Sequence, residues 1–108
     1  MKQNYKNLLF ICSMNLNRSP TAEELFKNKY ETKSAGIDKY CRNRVDKDLL
    51  EWSDVVFVME DWMETELKKR FPDEYEKKKV VSLDIHDYYY RNDPALIKIL
   101  KREISKYL

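Results

Sequence analysis

The stretch Leu8-Leu9-Phe10-Ile11-Cys12-Ser13-Met14-Asn15-Leu16-Asn17-Arg18-Ser19-Pro20 passes from an unbroken apolar run through a polar loop to a helix start. Leu8 to Ile11 have the pattern of a strand buried on both faces. Ser13 to Asn17 are too polar to continue it. Ser19-Pro20 then signals a helix, with Ser19 expected to cap it and Pro20 at its first position. Ala22 stands where a capping box would need Glu or Gln. Ala22, Leu25, Phe26 and Tyr30 recur at helical spacing and give that helix an inward face. The strand therefore ends on Cys12, and the helix begins close to Arg18.

Outward from this stretch, apolar segments alternate in type. Thr32 to Ile37 reads as a second strand, ending at Gly36, the one glycine of the sequence. A short helix is expected from about Asp46 to Trp52, with Val45, Leu49 and Leu50 inward. Asp54 to Met59 is a second strongly buried strand. Asp61 is expected to cap the next helix, in which Trp62, Met63, Leu67 and Phe71 supply apolar contacts and which Pro72 stops. Val80, Val81 and Leu83 make a fourth strand. A tyrosine-rich loop, Asp84 to Asn92, precedes a last helix opened by Asp93-Pro94, with Leu96, Ile97, Leu100, Ile104 and Leu108 on its buried side. Strands alternating with helices predict an α/β fold: a three-layer, doubly wound sheet of four parallel strands flanked by helices. In such folds ligands bind beyond the carboxyl ends of the strands, where Cys12 falls.

Composition narrows the class. A length of 108 residues is one domain, spanning 1–108, with room for a single modest core. A net charge of +2 gives no footprint for nucleic acid or an anionic membrane. Two cysteines and one histidine are too few for a tetrahedral metal cage, and Cys12 and Cys41 do not have zinc-site spacing. A secreted domain of this size would usually carry more disulfides. The run from Leu8 to Cys12 is too short for a signal-peptide core or a membrane span. With no exposed apolar stripe to demand a partner, the expectation is a soluble, cytoplasmic monomer.

The chemistry lies in Cys12-x5-Arg18 followed by a helix. A loop of this length can curl so that successive backbone amides point inward as an anion-binding nest. The helix adds its unpaired amides and the positive end of its dipole. The same field favours the nucleophilic thiolate form of Cys12. Arg18 offers planar, bidentate donors to phosphate oxygens, and Ser19 could donate its hydroxyl to the thiolate. A cysteine and an arginine six apart are a weak signal alone. The apolar strand before them and Ser19-Pro20-Thr21-Ala22-Glu23 after them make it far more specific.

On these residues the chain resembles the low molecular weight protein tyrosine phosphatase family. The resemblance covers Leu9-Phe10-Ile11-Cys12 through Arg18-Ser19-Pro20-Thr21-Ala22-Glu23, then Ser34-Ala35-Gly36, then Ser53 to Met59, then the loop around His86-Asp87-Tyr88-Tyr89-Tyr90, in the family's order and across nearly the whole chain. It implies a phosphomonoester hydrolase, a protein tyrosine phosphatase that forms a phosphocysteine intermediate on Cys12. Arg18 would bind phosphate, Ser19 support the thiolate, and Asn15 hold the loop's shape; its residue type suits a left-handed backbone. Ser13, Met14, Asn15, Leu16, Asn17 and Ser19 would surround a phosphate or similar oxyanion. Substrates would be a phosphotyrosine protein or a small aryl phosphate. No metal or organic cofactor is implied, because amides and Arg18 supply the electrostatic stabilisation.

The family's general acid is an aspartate in an Asp-Pro-Tyr loop after the fourth strand. Asp87 fits that register, with Tyr88 replacing the proline; Asp84, at a strand end, is the competing choice. Tyr88 and Tyr89 could line a cleft for an aryl ring, though ordinary packing claims at least one tyrosine of the run. His86 reads as a loop residue, Cys41 as an exposed or half-buried free thiol, Arg42, Arg44 and Arg91 as solvated charges, and Trp52 and Trp62 as core or core-edge. The chain departs from the family at Met14, where a glycine is common, and at Asn17, where a second cysteine is common. It is also shorter between Gly36 and Ser53. Two other readings use the same loop. One is a non-catalytic phosphate- or phosphopeptide-binding module, motivated by Met14 and the missing Asp-Pro. The other is an arsenate reductase, for which Cys41 alone would make an incomplete thiol relay.

Overall fold

The computed structural model describes residues 4–108. The apolar run becomes β1, Asn7–Cys12, and α1 follows as Arg18–Phe26. Then come β2 (Glu31–Gly36), α2 (Lys47–Trp52), β3 (Val55–Val58), α3 (Asp61–Arg70), α4 (Pro72–Lys77), β4 (Lys79–Ser82) and α5 (Pro94–Ser105). All strand pairs are parallel, and the order across the sheet is β2-β1-β3-β4. α1 and α5 pack together on one face; α2, α3 and α4 cover the other. This is the three-layer, doubly wound sheet the alternation predicted.

Burial explains why β1 and β3 were legible. Leu8 to Ile11 and Val55 to Met59 are fully buried, sandwiched between the helical layers. Phe10 and Phe57, partners in the β1–β3 register, stack with centroids 5.5 Å apart. The chain leaves β1 to one side, towards β2, and returns across it to β3 on the other. That reversal makes the carboxyl ends of β1 and β3 the switch point at which such sheets bind ligands. Among the described residues no helix is long and apolar enough to cross a membrane.

Several local expectations need correction. Ser19 is not the cap of α1: the helix begins at Arg18, Asn17 is the N-cap residue, and no side chain caps it. Asp61 is the first residue of α3, with Glu60 at the N-cap. Pro72 does more than end α3. It opens α4, because a proline at a first helical position loses no hydrogen bond. Trp62 is 47% exposed rather than core, since Met63 and Leu67 define the inward stripe and Trp62 lies about 100° round the helix from Met63. Cys41 is buried, not exposed, despite its polar neighbours. Gly36 leaves the space: a Cβ there would strike Cys41 Sγ and come within 2.8 Å of the Ser13 carbonyl oxygen. α2 and α5 begin where expected, and the side chains of Asp46 and Asp93 cap them, accepting from Leu49 N and Ala95 N.

Candidate active site

β1 delivers Cys12 to the carboxyl edge of the sheet, and the following loop folds back over it. Cys12, Ser13, Met14, Leu16, Asn17, Arg18 and Asp87 line one small cavity of about 70 Å³. Both the residues of the loop after β1 and Asp87, from the loop before α5, reach it.

The surroundings of Cys12 are built by a chain of hydrogen bonds. Cys12 Sγ lies 2.9 Å from Ser19 Oγ. Asn15 Nδ2 donates to Ser19 Oγ at 2.8 Å and to Ser34 Oγ at 2.9 Å. While it accepts from Asn15, Ser19 Oγ can donate its own proton either to the sulfur or to the Ala35 carbonyl 3.4 Å away. Asn15 has φ 57, the left-handed conformation its residue type suits. Asn43 Nδ2 holds it there, donating to Asn15 Oδ1 at 3.1 Å and to the Ser34 carbonyl at 2.6 Å. Ser34 Oγ in turn donates to Glu23. Asn15 and Ser19 thus stand behind the cavity wall rather than on it. Met14, where a glycine is common, is not among the positive-φ residues, so its side chain strains no backbone there.

Arg18 is 1% exposed, and a buried guanidinium needs compensation. Glu60, at the end of β3, provides it: Arg18 NH1 donates to Glu60 Oε2 at 2.6 Å and to the Ile85 carbonyl at 2.8 Å. Arg18 NH2 donates to Ser13 Oγ at 3.2 Å. Arg18 Nε is buried with no hydrogen-bond partner, and Asp87 Oδ1 stands 3.6 Å from it. One edge of the guanidinium is therefore anchored to the protein, and Nε is unclaimed in a residue that lines the cavity.

The two candidate acids differ in position. Asp87 lines the cavity beside Arg18. Asp84 has φ 54, is 76% exposed in its side chain, and sits 3.8 Å from His86 Nε2. His86 lies between Asp84 and Glu60, with Nδ1 3.7 Å from Glu60 Oε1, and does not line the cavity. Tyr88 is exposed beside Asp87, whereas Tyr89 is half-buried against the core. Neither forms part of the cavity wall. Arg42, Arg44 and Arg91 are exposed. Cys41 Sγ donates to the Met14 carbonyl at 3.1 Å, on the back of the loop.

Glu60 and Asn43 were not singled out by sequence reading. Glu60 had a usable signal: it is the first charged residue after a fully buried strand, the same carboxyl-edge position that drew attention to Cys12. Asn43 had none, lying in a polar connection between Gly36 and α2. Among the described residues no cluster of His, Cys, Asp and Glu could hold a metal ion.

No protein-family model matches the chain, and no curated protein matches it in sequence. Solved structures do. The tyrosine phosphatase Wzb from Escherichia coli K30, solved with phosphate, superposes with a TM-score of 0.75 at 20% identity, covering 95% of this chain and 96% of that one. The low molecular weight protein tyrosine phosphatase SP-PTP from Streptococcus pyogenes gives 0.75 at 16% identity, covering 95% and 93%. The arginine phosphatase YwlE from Geobacillus stearothermophilus gives 0.63 at 20% identity, covering 94% and 85%. The chain has the fold of the low molecular weight protein tyrosine phosphatases.

Proposed function

We propose that the protein is a phosphomonoesterase, a cytoplasmic protein tyrosine phosphatase acting on phosphotyrosine proteins or small aryl phosphates through a phosphocysteine intermediate. The observation that carries this reading is the buried, unpartnered Nε of Arg18 in a cavity shared with Cys12 and Asp87. A buried donor left unpaired is costly, and an oxyanion would satisfy it. The fold shared with Wzb, SP-PTP and YwlE supports the class of reaction.

In the first step Cys12 Sγ attacks phosphorus in line with the ester oxygen. The sulfur–phosphorus bond forms, the phosphorus–oxygen bond breaks, and Asp87 gives its proton to the departing alcohol. Arg18 and the loop amides hold the three equatorial oxygens. In the second step Asp87, now a carboxylate, takes a proton from water as the water attacks phosphorus. Inorganic phosphate leaves, and sulfur departs as the thiolate towards which Ser19 can direct its hydroxyl proton. Ser13, Met14, Leu16 and Asn17 surround the phosphate, while Asn15 fixes the loop from behind. Tyr88, exposed beside Asp87, is positioned to meet the aryl ring at the rim.

Hydrolysis of an aryl phosphate across pH 5 to 8 tests this. Cys12→Ser is expected to abolish turnover while the folded protein still binds phosphate. Asp87→Asn is expected to lower turnover by about a hundredfold or more, the range of general-acid contributions. Full activity in Cys12→Ser would sink the mechanism; phosphate binding by an inactive native chain would favour a binding module instead.

A further inference from the structure

Asn17 occupies the N-cap of α1, where an asparagine side chain ordinarily accepts a hydrogen bond from an amide of its own helix. Here it makes no such bond. Its Oδ1 accepts instead from the backbone N–H of Arg91, 74 residues away, at 3.1 Å. The next amide of the same loop, Asn92 N, donates to Thr21 Oγ1 at 2.9 Å. Thr21 is itself fixed, donating to the Asn17 carbonyl at 2.7 Å. Two consecutive amides of the loop carrying Asp87 are thus pinned to the first turn of α1, next to the phosphate loop.

Both halves of this arrangement bear on the site. Pro20 has no N–H, so a capping Asn17 side chain would have spent the amide of Ser19; diverting it leaves the amides of Arg18 and Ser19 for an anion. The same diversion fixes one end of the segment that runs from Asp87 to Asn92. Asp87 is 56% exposed in its side chain and has few restraints of its own, namely Arg18 Nε at 3.6 Å and neighbouring Tyr89 against the core. Resting on the phosphatase reading above, we infer that Asn17, aided by Thr21, is a positioning residue that clamps the acid loop to the phosphate loop and sets Asp87 over the cavity.

The test compares two esters. Expulsion of a nitrophenolate needs little from an acid, whereas expulsion of unsubstituted phenolate needs much, and kcat/KM reports that step. Asn17→Ala is expected to lower kcat/KM about tenfold more for phenyl phosphate than for nitrophenyl phosphate, the order of one lost hydrogen bond. Thr21→Val is expected to act in the same direction. In an Asp87→Asn background Asn17→Ala should add no selective loss. Inhibition of Thr21→Val by inorganic phosphate should stay within about twofold, because Thr21 does not line the cavity. Equal losses on both esters, or weaker inhibition of Thr21→Val by phosphate, would mean that the two residues shape the phosphate loop and would overturn the inference. Hydrogen exchange at the amides of Arg91 and Asn92 separates this from the parent reading. Faster exchange in Asn17→Ala upholds the clamp even if the native chain hydrolyses neither ester, an outcome that would bring down the phosphatase reading. Unchanged exchange overturns the clamp whatever the activity.

Discussion

A guanidinium that is 1% exposed must be compensated in the resting protein and yet remain available to a ligand. Arg18 meets both demands by dividing its donors, with NH1 on Glu60 and Ile85 and Nε unclaimed. Glu60 keeps 21% exposure, so its removal is softened by water but not abolished. Glu60→Gln is expected to cost about 1–3 kcal/mol of stability, read as a lower urea midpoint. It should also enlarge the stabilisation produced by phosphate, because an oxyanion would then replace the missing counter-charge. A smaller phosphate-induced shift in the variant than in the native protein would refute this account of Glu60. At this scale Cys12 and Arg18 could be singled out by spacing, a cysteine closing a buried strand and an arginine six residues on at a helix start. Asp87 rested on the family resemblance; the structure brings the three to one cavity. Glu60 and Asn43 escaped because their roles depend on partners 42 and 28 residues away.

The elements meet closely where β1 and β2 end together. Cys12 pairs with Gly36 across the two strands, and Cys41 folds in beneath them. Gly36 does not have positive φ, so alanine would suit its backbone and should gain a few tenths of a kcal/mol, up to about 1, through the unfolded chain. The added Cβ, however, would stand 2.8 Å from the Ser13 carbonyl and press on Cys41. A backbone oxygen cannot swing aside as a side chain does, so the strand end must move. Gly36→Ala is therefore expected to lose about 1–3 kcal/mol net and to reduce kcat/KM, since Ser13 begins the phosphate loop. A variant more stable than the native protein in urea would contradict the packing argument. Local signals misled where tertiary demand outbid them. Ser19 has the residue type of a cap, but its hydroxyl is held by Cys12 and Asn15. Pro72 reads equally as an end or a beginning, and only the return of the chain to β4 makes it a beginning. The apolar runs of β1 and β3 carried no such ambiguity, because full burial on both faces leaves one pattern.

Across the whole molecule the sheet separates its candidate site from a second hydrogen-bonded cluster. Its carboxyl edge carries Cys12, Glu60 and the loop of Asp87, and its amino edge is closed by Asp54. β1 is six residues long, so the edges lie roughly 20 Å apart. Asp54 Oδ2 accepts from the backbone amides of Lys6 at 2.8 Å and Asn7 at 2.9 Å, tying the start of β1 to the turn before β3. The hydrogen bonds from Asn7 and Lys6 hold its carboxyl below the ordinary aspartate range. A carboxyl lowered in the folded state stabilises the fold above its unfolded value, about 3.9, and that contribution is lost as pH falls through the lower folded value. Asp54→Ala is expected to cost about 1 kcal/mol near neutral pH, modest because the carboxylate is exposed and screened. The difference between variant and native protein should shrink as pH drops below about 4 and vanish once it is below the lower folded value, where both lack the charged acceptor. kcat/KM should be unchanged at any pH where both are folded, since nothing in the cavity touches Asp54. Urea midpoints measured from pH 7 down to pH 2.5 decide it. A stability gap that stays constant with pH would remove the carboxylate from the explanation, and a fall in kcat/KM would mean that the two edges of the sheet are coupled.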